Sequence, residues 1–121
     1  MSSSDIDRKI AVIFATDLVG YSKHMEKDEN ATLRGLRECN KIIEPLIKKQ
    51  KGRIFNTGGD SVFAEFPSAV AAVDTAVEFQ KQIKARNDKD TTEVKLEYRI
   101  GINMGDVVKE GNNLLGDGVN I

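Results

Sequence analysis

The run Ile10-Ala-Val-Ile-Phe-Ala-Thr16 constrains this chain most, and it stops at Asp17. Every residue in it is apolar or β-branched, so a strand built from it is apolar on both faces. Such a strand belongs at the centre of a sheet, and the rest of the chain must supply its neighbours and its cover.

The cover is legible as two helical stretches. Asp28 or Asn30 can cap a first helix, in which Leu33, Leu36, Ile43 and Ile47 recur at helical spacing up to about Lys51. Pro45 predicts a kink or break inside it, and Gly52 an end. Pro67-Ser68 opens a second helix with Ala72, Val73, Ala76, Val77, Phe79 and Ile83 on its apolar face. Arg86 to Glu93 reads as a polar loop.

The neighbours are legible too. Arg53 to Phe66 holds two short β-rich runs around Gly58-Gly59, a hairpin signal, with Asp60 just past the turn. Val94 to Val108 alternates: Val94, Leu96, Tyr98, Ile100, Ile102 and Met104 face one way, and Lys95, Glu97, Arg99 and Asn103 the other. Gly105 suggests a bulge or a turn into a short partner strand at Val107-Val108, and Glu110 to Gly118 a loop. The order β-α-β-β-α-β is α+β and ferredoxin-like: an antiparallel sheet with both helices on one face and the other face uncovered. A length of 121 residues suits one domain.

Composition narrows function. Lys plus Arg is 18 against 19 Asp plus Glu, so the basic excess for a general grip on nucleic acid is missing. No apolar run approaches the roughly 20 residues of a membrane span. The single cysteine, Cys39, excludes an internal disulfide framework and a cysteine-based zinc site. With no apolar leader at the start, a cytoplasmic location is expected. A sheet face that stacks RNA bases would show aromatics; the predicted polar row is Lys95, Glu97, Arg99 and Asn103.

Two carboxylates can meet in this fold. Asp17 ends the first strand and Asp60 follows the hairpin turn, 43 positions later. Such a pair, with a backbone carbonyl, suits Mg²⁺, which prefers oxygen ligands and keeps water and phosphate in its shell. On spacing alone, Asp17 can equally just end a strand and Asp60 just serve a turn. Gly20, in Leu18-Val-Gly-Tyr-Ser-Lys23, lets backbone N–H groups approach an anion, although a plain strand-to-helix loop reads the same way. His24 reads as a surface residue, Cys39 as packed or half-exposed in the first helix, and Lys48 to Lys51 as a solvated helix end.

Four segments now carry a specific resemblance. Ile13-Phe-Ala-Thr-Asp-Leu-Val-Gly-Tyr-Ser-Lys23 resembles the first metal-binding motif of class III nucleotidyl cyclases. Asn56-Thr-Gly-Gly-Asp-Ser-Val-Phe-Ala-Glu-Phe66 resembles their hairpin with the second metal aspartate. Tyr98 to Gly105 is similar to the strand before the last motif, and Leu115-Gly-Asp-Gly-Val-Asn-Ile121 to the start of the element with the transition-state residues.

The resemblance implies a residue-by-residue assignment. Asp17 and Asp60 would hold two Mg²⁺ or Mn²⁺ ions, with the Leu18 carbonyl as a further ligand. Leu18, Val19, Gly20, Tyr21 and Ser22 would wrap the phosphates, and Asn120 would orient the ribose. The reaction implied is attack of the ribose 3′-oxygen on the α-phosphate, giving a cyclic nucleotide and pyrophosphate, in a homodimer whose site lies between chains. Asn56 and Asn113 stand where the family reads the base. An Asn amide can suit adenine or guanine, so ATP is favoured on family frequency and GTP stays open.

The family's arginine would fall three positions beyond Ile121. The expectation is therefore a flexible arm over 1–8 and a catalytic domain over 9–121 that lacks its C-terminal part, with weak or no turnover if the chain ends there. The alternatives are a catalytically impaired cyclase-like module for nucleotide binding or dimerisation, or another metal-dependent phosphoryl-transfer relative. Gly58-Gly59-Asp60 resembles the hairpin of diguanylate cyclases, but Ser61-Val62 replaces their Glu-Phe.

Overall fold

A computed structural model describes residues 7–89, 94–116 and 119. The apolar run forms the middle of β1 (Asp7–Leu18), the third strand of a five-stranded sheet. The other strands are β2 (Arg53–Gly58), β3 (Ser61–Phe66), β4 (Tyr98–Glu110) and β5 (Asn113–Leu115), in the spatial order β2-β3-β1-β4-β5 with every pairing antiparallel. The helices are α1 (Tyr21–Lys27), α2 (Glu29–Lys49) and α3 (Ala69–Lys89). This is the expected α+β, ferredoxin-like order, with a short extra helix and a short extra strand. β1 begins at Asp7, so Asp7 and Arg8 pair with Lys109 and Val108.

The main core lies between the helices and one sheet face. Val12, Phe14 and Leu18 of β1 meet Val62, Ala64 and Phe66 of β3, Leu36, Cys39, Ile43 and Ile47 of α2, and Ala72, Phe79 and Ile83 of α3. Phe14 and Phe66 meet at a tilt with centroids 5.3 Å apart, and Phe79 meets Tyr98 edge-on at 5.1 Å. Rings at these separations add contact energy beyond area burial. The caps are where the sequence puts them: Asp28 Oδ1 accepts from the Ala31 amide and Ser68 Oγ from the Ala71 amide.

Several expectations are corrected. α2 runs unbroken through Pro45, which lies on its exposed face. The carbonyl that loses its partner there can turn to water, while Ile43 and Ile47 hold the inner face. α3 extends through Arg86 to Lys89 instead of giving way to a loop. Arg86 Nη1 donates to the Val94 carbonyl, and Asn87 exchanges two bonds with Leu96, so this last turn is tied to the chain that returns. Residues 94–97 are not strand, because β1 ends at Leu18 opposite Tyr98 and offers no ladder beyond it. Leu96 is nevertheless fully buried. Met104, expected on the apolar face, is exposed. β4 passes through Gly105 in regular register, and its partner is β5 rather than Val107-Val108.

The second face is not bare. Ala11, Ile13, Val107 and Leu114 form a smaller buried cluster there, with Phe55 and Val119 packed against it. The sheet curls to close it. The register shift between Ile54 and Asn56 bends β2, and Arg53 Nη1 reaches the Asn112 carbonyl at 2.7 Å in the β4–β5 turn.

Candidate functional site

The end of β1 carries the site. In the β1–β4 ladder Asp17 stands opposite Arg99, on the face away from the helices. Arg99 Nε donates to Asp17 Oδ1 at 3.1 Å and Nη2 to Oδ2 at 3.0 Å, a two-pronged charged pair. On the other side of β1, the hairpin closes through Gly59 and Asp60, with Gly58 paired to Ser61. Asp60 is therefore a turn residue and not, as expected, the residue just past the turn. Gly59 at φ 53 supplies the positive φ that the first position of a type II′ turn needs.

From that turn the Asp60 side chain reaches back to β1. Its Oδ2 accepts the Leu18 amide at 3.0 Å. Asp60, 43 positions from Asp17 in sequence, is thus brought to the end of β1 that carries Asp17. A cleft of about 690 Å³ opens beside Asp17, lined by Ala15, Asp17, Ser61, Phe63, Arg99 and Gly101 among others.

The loop after β1 is placed more narrowly than the motif implies. Leu18 is buried, its amide goes to Asp60, and the Val19 amide goes to the Glu97 carbonyl at 2.8 Å. Those two N–H groups are already used. Gly20 takes the left-handed conformation at φ 69 and turns the chain into α1 at Tyr21. The amides left for an anion begin at Gly20 and continue through Tyr21 and Ser22 in the first turn. The Tyr21 hydroxyl lies over Gly59, where an added Cβ would sit 3.7 Å from it, so α1 and the hairpin turn support each other.

The base-reading candidates lie on β2 and β5. Asn56 lies on β2 opposite Phe63. Asn113 begins β5, opposite Glu110, and its Oδ1 accepts from the Leu114 amide. Glu110 and Arg99 are eleven positions apart on β4, about 36 Å of strand. One chain therefore does not bring Asn113 to Asp17. Asn120, with Asp117, Gly118 and Ile121 of its motif, lies outside the described residues. Arg99 was legible only as a polar face residue. Its alternation with Gly101 and Asn103 gave the face, but the partner depends on strand register.

Among the described residues there is no group of three or more His, Cys, Asp or Glu that could hold a metal. The Asp17–Asp60 pair instead suits an ion that completes its shell with water and ligand oxygens. Asp17 already holds a cation, the Arg99 guanidinium, on both of its oxygens.

The comparisons with known proteins bear on the family and the fold. Residues 3–113 match the family described as Adenylate and Guanylate cyclase catalytic domain. The chain belongs to that family. It is 40% identical over 122 residues to "Putative adenylate cyclase 3" of Rhizobium meliloti (strain 1021), covering all of this chain and 21% of that protein. Its fold superposes on an adenylate/guanylate cyclase/hydrolase from Silicibacter pomeroyi with a TM-score of 0.84 at 36% identity, over 95% of this chain and 67% of that one. The guanylyl cyclase Cya2 gives a TM-score of 0.82 at 25% identity, over 95% of this chain and 68% of that one. The chain thus spans about a fifth of the curated relative and two thirds of the solved domains. Among the described residues no helix is long and apolar enough to cross a membrane.

Proposed function

We propose that this cyclase domain converts ATP to cyclic AMP and pyrophosphate, with two Mg²⁺ or Mn²⁺ ions bound at Asp17, Asp60 and the Leu18 carbonyl. The observation that supports this is the bond from the Leu18 amide to Asp60, which holds the second carboxylate at the end of β1, next in sequence to Asp17. Bound there, the ions would offset phosphate charge and make the ribose 3′-hydroxyl easier to ionise.

The chain's own groups do the positioning. The Asp60 side chain is held by the backbone it serves, so its orientation costs little when ligand arrives. Gly20, Tyr21 and Ser22 offer amides to the phosphates at the start of α1. Asn56 and Asn113 meet the base edge, and Asn120 orients the ribose. Because Asn113 lies far along β4 from the position opposite Asp17, the reading takes Asp17 and Asp60 from one chain and Asn113 from its partner. The proposed homodimer works in the cytoplasm in nucleotide signalling, with GTP the competing substrate.

The test is a cyclase assay with Mn²⁺ on ATP and GTP, together with Asp17→Ala and Asp60→Ala. Cyclic AMP formed by the parent and lost in both variants supports the reading. Turnover that survives in either variant sinks the two-aspartate site. A metal- and nucleotide-binding module without turnover, the impaired-cyclase reading, would bind an ATP analogue in Mn²⁺ and form no product.

A further inference from the structure

We propose that Arg99 is a built-in counter-ion for Asp17: its guanidinium holds the carboxylate and must leave it for a divalent cation to bind. The proposal rests on the two-aspartate reading above and adds to it a residue that sets when the site is open.

The ladder dictates the pairing. Asp17 and Arg99 are 82 positions apart in sequence but directly opposite in the β1–β4 register, so the sheet itself brings them together. The guanidinium donates one hydrogen bond to each carboxylate oxygen, at 3.1 and 3.0 Å. A fork of this kind engages both oxygens and places a full positive charge beside them, where a cation would sit. A divalent ion approaching Asp17 meets occupied oxygens and a like charge.

The latch is also built to open. The Arg99 side chain is 69% exposed and that of Asp17 is 43% exposed, so the pair is screened by water and its net worth is small. The next open-face positions along the two strands are Ala15 and Gly101, which pair with each other and line the cleft beside Asp17. Their small size leaves room for the released side chain. Arg99 is thus a positioning residue: closed, it holds the Asp17 rotamer in place; open, it frees both oxygens.

Mn²⁺ alone, with no nucleotide, is the probe. Free Mn²⁺ is read by electron paramagnetic resonance in titrations of the parent chain, Arg99→Gln, Arg99→Lys, Asp17→Asn and Asp60→Asn. Arg99→Gln removes the competing charge and should bind Mn²⁺ about two- to fivefold more tightly, the range expected for losing an exposed ion pair. Arg99→Lys keeps the charge without the fork and should fall between. In the parent, the Arg99 Nε resonance should shift on Mg²⁺ addition, a signature that a merely structural arginine would not give. Equal or weaker binding by Arg99→Gln, or an unmoved Nε resonance, overturns the latch while Asp17→Asn still loses the ion. If Asp17→Asn and Asp60→Asn bind Mn²⁺ as the parent does, the aspartate site itself fails and the latch falls with it.

Discussion

The Asp60 carboxylate accepts the Leu18 amide at 3.0 Å across 42 residues of sequence, joining the hairpin turn to the end of β1. One side chain thereby both closes the fold and orients a candidate metal ligand. These two roles separate by substitution. Asp60→Ala leaves a part-buried N–H without its acceptor and should cost about 1–2 kcal/mol. Asp60→Asn keeps a carbonyl acceptor and should stay within about 0.5 kcal/mol of the parent, yet lose Mn²⁺ binding. Urea midpoints and Mn²⁺ titrations on the two variants check this. An alanine variant as stable as the parent would show that the bond holds nothing.

What the sequence disclosed, and what it did not, divides along physical lines. The apolar run at 10–16, the Gly-Gly-Asp hairpin and the Asp28 cap are local signals, and each lies where its chemistry puts it. The Asp17–Arg99 pair depends on the register of two strands 82 positions apart, which no local pattern encodes. The curl that buries Ala11 and Leu114 comes from a bulge in β2 and one long-range arginine bond. Pro45 inside α2 shows tertiary packing overriding a propensity, since its carbonyl cost falls on the wet side.

The end of α2 gives a second prediction, because the glycine there has an unexpected role. Lys51, not Gly52, takes the left-handed conformation at φ 62, and the bonds Gly52 N to Ile47 O and Lys51 N to Lys48 O form the Schellman pattern. Gly52 is needed for space: an added Cβ would lie 2.8 Å from Ile47 Cγ2 and from Phe66 Cε2. Gly52→Ala should therefore cost about 1–3 kcal/mol by overpacking. Lys51→Gly should stabilise by about 0.5 kcal/mol, relief of the left-handed strain less the added freedom of the unfolded chain. Thermal melts of both variants would expose a reversed order at once.

Glu65 sets an acid dependence. It pairs with Lys9 and with Arg53, both at 2.8 Å. Burial pushes its pKa up, but hydrogen bonds and charge from Lys9 and Arg53 outweigh that and hold it below the ordinary value. A carboxyl lowered on folding contributes stability that is complete above its unfolded pKa of about 4.3. That contribution is lost as pH falls through the folded value, because the native state must then take up a proton. Glu65→Gln should lower stability at pH 7 by about 1 kcal/mol, a modest figure because both cations are partly exposed. It should also flatten the decline below about pH 4.3. Urea unfolding at pH 7 and through the acid range reads both effects, and parallel curves for parent and variant would refute the assignment.

Cys39 should be inert in the native chain and should report unfolding. It lies on α2 at 1% exposure, beside the buried Tyr98 hydroxyl. Burial is the main cause of its raised pKa; Tyr98 and Arg86 pull it down without cancelling that, and Glu38 adds to it. The thiol therefore stays protonated in the fold at pH values where the unfolded chain, with a thiol pKa of about 8.5, ionises. With fewer protons on the unfolded state, stability is complete below about pH 8.5 and declines as pH rises toward the folded value. Cys39→Ala should remove that alkaline slope while costing some packing. At pH 8, iodoacetamide should modify the native chain at least about a hundredfold more slowly than the urea-unfolded chain, since reaction waits on opening of the core. Mass spectrometry of timed samples gives the ratio, and rapid native labelling would place Cys39 at the surface instead.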